Sequence, residues 1–208
     1  MAARHPILTI GHSSHPLPRF LDLLRGARVM AVADVRSAPV SRFVPHFNKD
    51  RLATALARSG IAYVFLGEEL GGCPEQPELF SDGVADYEKM AKLPSFQAGI
   101  QRLVRGAQEK RIVVMCAEAD PLDCHRCLLV GRALAELGIE VAHILSSGEI
   151  APQGEIEGRL LGLAGLGEAD LLLRDSGERL AEAYRARGRK VAYAARKAPI
   201  SGGAARRD

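Results

Sequence analysis

Residues 112–144, with the sequence IVVMCAEADPLDCHRCLLVGRALAELGIEVAHI, contain two apolar runs separated by a helical pattern. The runs 112–116 and 139–144 have the length and the β-branched residues of buried strands. Asp120 suits the N-cap of a helix between them, and Gly138 suits its end. A strand, a helix and a second strand in this order predict a parallel sheet with helices packed on it.

Earlier apolar runs continue the same alternation of strands and helices. They lie at 7–10, 29–35 and 61–66, and the last is unbroken, which is typical of a strand buried on both faces. Helical spacing follows at 17–24, 48–60, 96–107 and 177–195. We therefore expect an α/β protein with a three-layer Rossmann-like or flavodoxin-like fold, in which about five mostly parallel strands carry helices on both faces.

The chain is predicted to form a single α/β domain over residues 5–195, followed by a basic, disordered tail over 196–208. Residues 67–94 are a connection longer than compact domains usually contain, and we expect a lid-like loop there. The net charge of +3 is unevenly spread, because residues 185–208 carry eight Lys/Arg and one Asp while the remainder carries 20 basic and 24 acidic groups. Such a tail either solubilises the terminus or neutralises nucleic-acid phosphates.

Composition excludes several classes of protein. With 47% hydrophobic and 25% charged residues, the chain is neither disordered nor fibrous. No apolar run approaches the roughly 18–20 residues that cross a bilayer, so we expect no membrane partner. Residues 1–6 lack the apolar centre of a secretory signal, which favours a cytoplasmic protein. The four cysteines are then expected to be reduced.

Polar and ionisable residues follow four of the predicted strands, at the end where α/β sheets bind ligands. The first strand is followed by Gly11, His12 and Ser13, and the second by Asp34, Arg36, Ser41 and Arg42. The third strand is followed by Glu69, Gly71 and Gly72, and the fourth by Cys116, Glu118, Cys124, His125 and Arg126. We expect them to line one cleft.

Four motifs in this order resemble the bacterial and archaeal domain-of-unknown-function family 488 (DUF488). They are T-I-G-H-S at 9–13, D-V-R-S-x-P-x-S-R at 34–42, L-G-x-E-L-G-G at 66–72 and C-A-E-x-D-P-x-x-C-H-R at 116–126. The resemblance covers about residues 7–150, and 183–193 is similar to the usual end of the family. It implies that the signature positions are 9–13, 34–36, Ser41, Arg42, Gly67, Glu69, Gly71, Gly72, Cys116, Glu118, Pro121, Cys124, His125 and Arg126. Cys73 and Cys127 lie outside that pattern. The resemblance supports a site but names no reaction.

The cysteines are the first candidates for catalysis. If Asp120 caps the helix, Cys124 lies one turn inside it, where the helix N-terminus lowers thiol pKa values. Cys116 is the alternative nucleophile, a resolving partner or a buried core residue. Glu118 and His125 are candidates for acid–base catalysis.

Three arginines are candidates for binding an anion. The guanidinium groups of Arg36, Arg42 and Arg126, together with the amides of 11–13, could hold a phosphate or carboxylate. The alternative is that Arg36 and Arg42 pair with Asp34, Glu68 or Glu69. His12, Asp34 and Glu69 are either acid–base groups or hydrogen-bond anchors.

Two further interpretations of the cysteines stay open. Zinc could bind Cys116, Cys124 and Cys127 with His125 or Cys73, although this spacing is not a standard one. The C-x-x-C pair Cys124/Cys127 is a weaker redox candidate, because the predicted helix begins about three residues before it. Phosphatase, Walker A, G-x-G-x-x-G and G-x-S-x-G motifs are absent from the sequence.

The sequence thus favours an enzyme with an anion-binding, cysteine-containing cleft that acts on a nucleotide-like small molecule or a nucleic acid. No cofactor is required by this hypothesis, with zinc as the open alternative. The competing hypothesis is a non-catalytic module that binds nucleic acid through the same cleft and the basic tail.

Overall fold

A central β-sheet organises the protein, whose computed structural model describes residues 5–166 and 175–195. The strands are β1 (Ile7–Gly11), β2 (Ala31–Asp34), β3 (Ala62–Phe65), β4 (Phe80–Ser81), β5 (Val84–Ala85), β6 (Ile112–Cys116), β7 (Val141–Ile144) and β8 (Ile150–Pro152). The helices are α1 (Leu17–Gly26), α2 (Lys49–Arg58), α3 (Gly67–Leu70), α4 (Tyr87–Met90), α5 (Pro94–Glu109), α6 (Arg132–Glu136), α7 (Gln153–Ala164) and α8 (Ser176–Val191).

Six strands form the main sheet, in the order β3-β2-β6-β1-β7-β8. The first five of these pair in parallel, and β8 is an antiparallel edge strand on β7. β4 and β5 form a separate antiparallel hairpin. The expected three-layer, mostly parallel α/β fold is confirmed.

Alternate residues of each strand face opposite layers, as the pleat requires. On β6, Val113 and Met115 pack in the cluster that contains the buried residues of α1 and α2. Val114 and Cys116 pack in the other cluster, with the buried residues of α5. We refer to these two sides as the α1/α2 face and the α5 face. Because of this alternation, predicted site residues can contact one another only when their side chains lie on the same face of the sheet or beyond its edge.

Strand β3 differs from the prediction for residues 61–66. It lies at the edge of the sheet, with β2 as its only neighbour in the sheet order, and Val64 is 39% exposed. The unbroken apolar run therefore marks an edge strand and not one buried on both faces. An apolar run reports strand tendency, whereas its place in the sheet depends on the long-range topology.

Residues 67–94 hold more regular structure than the predicted loop. They include the short helix α3, the β4–β5 hairpin and α4, which Asp86 caps by accepting hydrogen bonds from the backbone N–H groups of Glu88 and Lys89. Residues 196–208, the predicted tail, lie outside the described residues. Within the ranges described, no helix has the length and apolar character that a membrane span needs.

Candidate functional site

The loops that leave β1 and β6 are joined at the carboxyl edge of the sheet. The backbone N–H of His12 donates to the carbonyl of Cys116 (2.9 Å), and that of Ser13 donates to the carbonyl of Ala117 (2.8 Å). A Cβ atom at Gly11 would lie 1.7 Å from the carbonyl oxygen of Glu118. Only glycine fits there, because any side chain would displace the loop that carries Glu118.

The predicted helix from Asp120 to Gly138 is interrupted at Cys124. Asp120 caps only a short 3₁₀ turn, Pro121–Asp123, and Cys124 itself is extended (φ −140°, ψ 138°). A helical segment with wider, π-type turns, Arg126–Gly131, follows and leads into α6. The prediction that Cys124 lies one turn inside the helix is therefore wrong, because the helix begins anew after it.

Cys124 stands at the start of this second helical segment. Its carbonyl accepts the backbone N–H groups of Cys127 and Leu128 (3.1 Å each), and its Sγ accepts the N–H of Arg126 (3.4 Å). A thiolate is stabilised at such a position by the partial positive charge of the helix N-terminus. The helix start thus coincides with Cys124, whereas the low weight of a redox role for the Cys124/Cys127 pair rests on a predicted start about three residues earlier.

Four side chains converge here, and we call them the sulfur cluster: Cys116, Glu118, Cys124 and His125. Nδ1 of His125 lies 3.6 Å from Sγ of Cys116 and 3.9 Å from Sγ of Cys124. Sγ of Cys124 and Oε2 of Glu118 share a hydrogen bond of 2.9 Å. Both sulfurs and the imidazole are buried, while Glu118 is exposed. The cluster is therefore a buried donor set with one carboxyl group at its solvent side.

Two backbone contacts fix the imidazole of His125. Its Nε2 donates to the carbonyl of Val35 (3.0 Å), so Nδ1 faces the sulfurs. A Cβ atom at Gly72 would lie 2.7 Å from Cγ of the ring. The sequence pattern includes Gly72 but not Val35, since a contact through a backbone carbonyl does not depend on the type of residue.

Burial and mutual charge shift the pKa values within the cluster. The hydrogen bond to Cys124, together with burial, raises the pKa of the Cys116 thiol. Burial alone would raise the pKa of Cys124, but the hydrogen bond from Cys116 and the charge of Arg126 outweigh it and hold this pKa well below its usual value. Burial and the neighbouring Cys124 raise the pKa of Glu118. Negative charge is thus drawn toward Cys124.

Arg126 is a cation buried behind the cluster. It is 0% exposed, and its terminal nitrogens donate to the carbonyls of Glu118 (2.6 Å) and Ala119 (3.0 Å). Its Nε has no hydrogen-bond partner, and no carboxylate forms an ion pair with it among residues 5–166 and 175–195. A buried cation raises the local potential, which favours negative charge on the cluster or on a ligand beside it.

Arg36 belongs to a different group of side chains, on the α1/α2 face. Its guanidinium makes a bidentate pair with Asp34 (2.9 and 2.6 Å) and also donates to the Phe47 carbonyl (2.8 Å) and to Nε2 of His12 (3.1 Å). The hydroxyl of Tyr63 donates to the same carboxylate (2.7 Å). We call His12, Asp34, Arg36 and Tyr63 the aspartate network. Arg36 is therefore committed to Asp34, as the alternative interpretation expected.

The other predicted ligands are dispersed. Arg42 is exposed and lies over the ring of Phe43, 4.8 Å from its centroid. Ser41 accepts the N–H groups of Phe43 (3.2 Å) and Val44 (3.3 Å) and so shapes a turn. Glu69 pairs with Arg102, and a Cβ atom at Gly71 would meet the carbonyl of Gly67 at 2.4 Å. In the described ranges the three guanidinium groups contact different partners, and their joint role in binding an anion stays a prediction.

Metal-ligating atoms come together at one place in the described ranges. Single donor atoms of Cys116, Cys124 and His125 all lie within 4.8 Å of one another. Cys127 belongs to a separate apolar cluster near α7 and α8, where burial raises its pKa to about 12. Cys73 is exposed, and its backbone N–H donates to Oγ of Ser37. The zinc hypothesis therefore loses Cys127 and Cys73 and keeps the other three residues.

A cavity of 330 Å³ lies beside the backbone that contacts His125. Gly71 and Cys73, which flank Gly72, contribute to its wall, and so do Glu68, Glu69 and Glu75. Three carboxylates make this space unfavourable for an anion.

The basic C-terminal segment contributes ion pairs to the domain. Arg185 pairs with Glu88 (3.3 Å), and Arg187 pairs with Asp123. These two cations are thus partly engaged, and residues 196–208 lie outside the described part of the chain. Association of this segment with nucleic acid stays a prediction.

Comparison with known proteins gives one match. The model of a family described as "Domain of unknown function DUF488" matches residues 16–133. No curated protein and no solved structure matches the chain.

Proposed function

Because the chain belongs to the DUF488 family, whose description names no reaction, we propose from its own site that it is an enzyme that acts on an anionic, nucleotide-like small molecule at the sulfur cluster. Glu118 is the proton-transfer group. Cys124 and Cys116 supply the reactive or ligating sulfur, and His125 orients them. Arg126 stabilises negative charge that develops at the centre.

The observation that carries this proposal is the position of Glu118 at the solvent side of the buried sulfurs. Its carboxyl group reaches Cys124 at 2.9 Å and is also exposed, so a molecule that binds at Glu118 is linked to the buried sulfur through this carboxyl group. Acid–base catalysis needs a titratable group within hydrogen-bond distance of the reacting atoms. In the aspartate network the carboxylate, Asp34, is instead 0% exposed.

Charge supports an anionic substrate. The buried guanidinium of Arg126 lacks a carboxylate partner in the described ranges and lies directly behind the Glu118–Ala119 backbone. A positive potential at the carboxyl edge of a parallel sheet suits a phosphate or carboxylate group. The proposed substrate therefore lies above Ala119.

A thermal-shift panel of inorganic phosphate and nucleoside phosphates, with neutral nucleosides as the comparison, tests the proposal. A ligand at about 100 times its Kd stabilises by about 2.7 kcal/mol, which raises the Tm by roughly 5–10 °C for a domain of this size. The substitution Ala119→Glu should abolish the shift through like-charge repulsion. The matched control is Ala57→Glu, at another exposed alanine near the end of α2, which should keep the shift.

Conversion of each stabilising ligand is then followed by mass spectrometry. Wild-type protein should convert the substrate, and Glu118→Gln should bind it but turn over at least about 100-fold more slowly. Binding without conversion by the wild type would favour the non-catalytic module. A shift that Ala119→Glu leaves intact would place the ligand elsewhere and overturn the proposed site.

A further inference from the structure

The donor atoms of the sulfur cluster have the spacing of ligands around a metal ion. Tetrahedral zinc, with bonds of about 2.3 Å to sulfur and about 2.0–2.1 Å to nitrogen, holds a sulfur and a nitrogen ligand about 3.6 Å apart. Nδ1 of His125 lies 3.6 Å from Sγ of Cys116 and 3.9 Å from Sγ of Cys124. All three donor atoms lie within 4.8 Å of one another, so shifts of about 1 Å or less would bring them around one ion.

The orientation of His125 is that of a metal ligand. A ligating histidine almost always donates its other ring N–H to a carbonyl or carboxylate, which fixes the ring and its tautomer. Here Nε2 donates to the carbonyl of Val35 at 3.0 Å, and Gly72 closes against the ring. Nδ1 is therefore directed at both sulfurs by groups outside the cluster.

We propose that Cys116, Cys124 and His125 bind one Zn²⁺ ion and leave a fourth position open beside Glu118. Two thiolates neutralise the divalent ion, and the carboxylate of Glu118 is then balanced by the buried guanidinium of Arg126. Soft sulfur donors with one imidazole select zinc over hard cations such as Mg²⁺ and Ca²⁺. Three protein ligands with an open position are the arrangement of catalytic zinc sites, whereas structural sites have four.

This inference rests on the proposed function, since it names what the sulfurs of that centre hold. In the zinc-bound state the cysteines act as ligands and not as nucleophiles. A water molecule in the fourth position would lie within reach of Glu118, which could accept its proton. Sulfur with one imidazole and an adjacent glutamate is also the donor set used by zinc enzymes that act on nucleobases.

Metal content measured on the purified full chain is the first test. Wild-type protein should carry one zinc per chain. Chelator treatment should remove it and lower the Tm, and added Zn²⁺ should reverse both changes. Cys124→Ser should weaken zinc binding by more than about 100-fold. The control Cys73→Ser removes an exposed thiol and should keep full zinc content.

Glu118→Gln separates an open site from a closed one. The open site predicts full zinc content in this variant, whereas loss of zinc would show that Glu118 is a fourth ligand and overturn the open position. Cobalt(II) gives a second readout that does not require a folded Cys124→Ser protein. When cobalt(II) is added to metal-free wild-type protein, a thiolate-to-cobalt charge-transfer band should appear and reach its maximum at one equivalent of cobalt.

The two proposals fail separately. If wild-type protein neither retains zinc nor gives the cobalt band, the zinc inference is wrong, while phosphate shifts that Ala119→Glu abolishes would still support the proposed function. If zinc binds in the expected stoichiometry and no anion shifts the Tm or is converted, the metal site stands and the proposed substrate class is wrong.

Discussion

The aspartate network and the sulfur cluster lie at the same edge of the sheet but on opposite faces. In the network, Arg36 donates to Asp34, Phe47 and His12, and Tyr63 donates to Asp34, so the charges and donors satisfy one another. In the cluster, two sulfurs and an imidazole nitrogen face one another across 3.6 and 3.9 Å. The hydrogen bonds of the network hold the chain in place, whereas the sulfurs and the imidazole nitrogen of the cluster are also atom types that bind a metal ion.

The largest effect is expected when one charge of the network is removed. Asp34→Ala leaves the buried guanidinium of Arg36 without its counter-charge, which should lower the free energy of unfolding by about 3–5 kcal/mol. Urea denaturation followed by circular dichroism measures this loss. The exposed Arg42→Ala should change stability by less than about 0.5 kcal/mol.

A double variant shows whether Asp34 and Arg36 act as a pair. Asp34→Ala combined with Arg36→Met should be at least about 1 kcal/mol more stable than the sum of the single changes predicts. Simple additivity would contradict the description of the network as closed.

Acid should weaken the network through His12. Burial lowers the pKa of His12 from 6.5 to about 4, and its Nε2 accepts a hydrogen bond from Arg36 that only the neutral ring can accept. The unfolded chain therefore takes up this proton first as the pH falls. The contribution of His12 is complete above pH 6.5 and is lost toward pH 4, by up to about 3 kcal/mol.

Unfolding free energies of the wild type and His12→Gln, measured at several values between pH 4 and 7, isolate this contribution. The glutamine side chain does not titrate, so the variant should lose less stability over that interval. Parallel curves for the two proteins would mean that His12 is not held neutral by its surroundings.

A smaller loss of stability is expected at Gly72, whose backbone packs against His125 of the sulfur cluster. Gly72→Ala would place a Cβ atom 2.7 Å from the ring of His125, which Val35 holds on its other side. Overpacking of this kind costs about 1–3 kcal/mol and should also weaken zinc binding. Chemical denaturation and zinc titration measure the two effects.

Gly158→Ala is the matched control for that substitution. Its Cβ atom would meet nothing within 4 Å, and the residue lies inside helix α7. Alanine should stabilise this position by up to about 1 kcal/mol. Equal changes in stability for Gly72→Ala and Gly158→Ala would mean that the close packing of Gly72 against His125 does not matter for stability.

The sequence predicted the fold well because strand and helix periodicity are local signals. The division of the predicted site into two groups also follows from a local rule, because the alternation of side chains along a strand places Asp34 and Cys116 on opposite faces of the sheet. What the sequence did not show is the break at Cys124, where an extended residue interrupts an apparently continuous helical pattern. Nor could it show the carbonyl of Val35 at His125, because this contact depends on the long-range pairing of β2 with β6.

Strand β1 has a bearing on where the independently folding unit begins. It lies between β6 and β7 in the sheet, and its last residue, Gly11, is the one that the Glu118 backbone crosses. The family match starts five residues after that strand and stops before β7. A fragment trimmed to the matched segment would lose two of the five parallel strands, so expression vectors and evolutionary comparisons should use the wider boundaries.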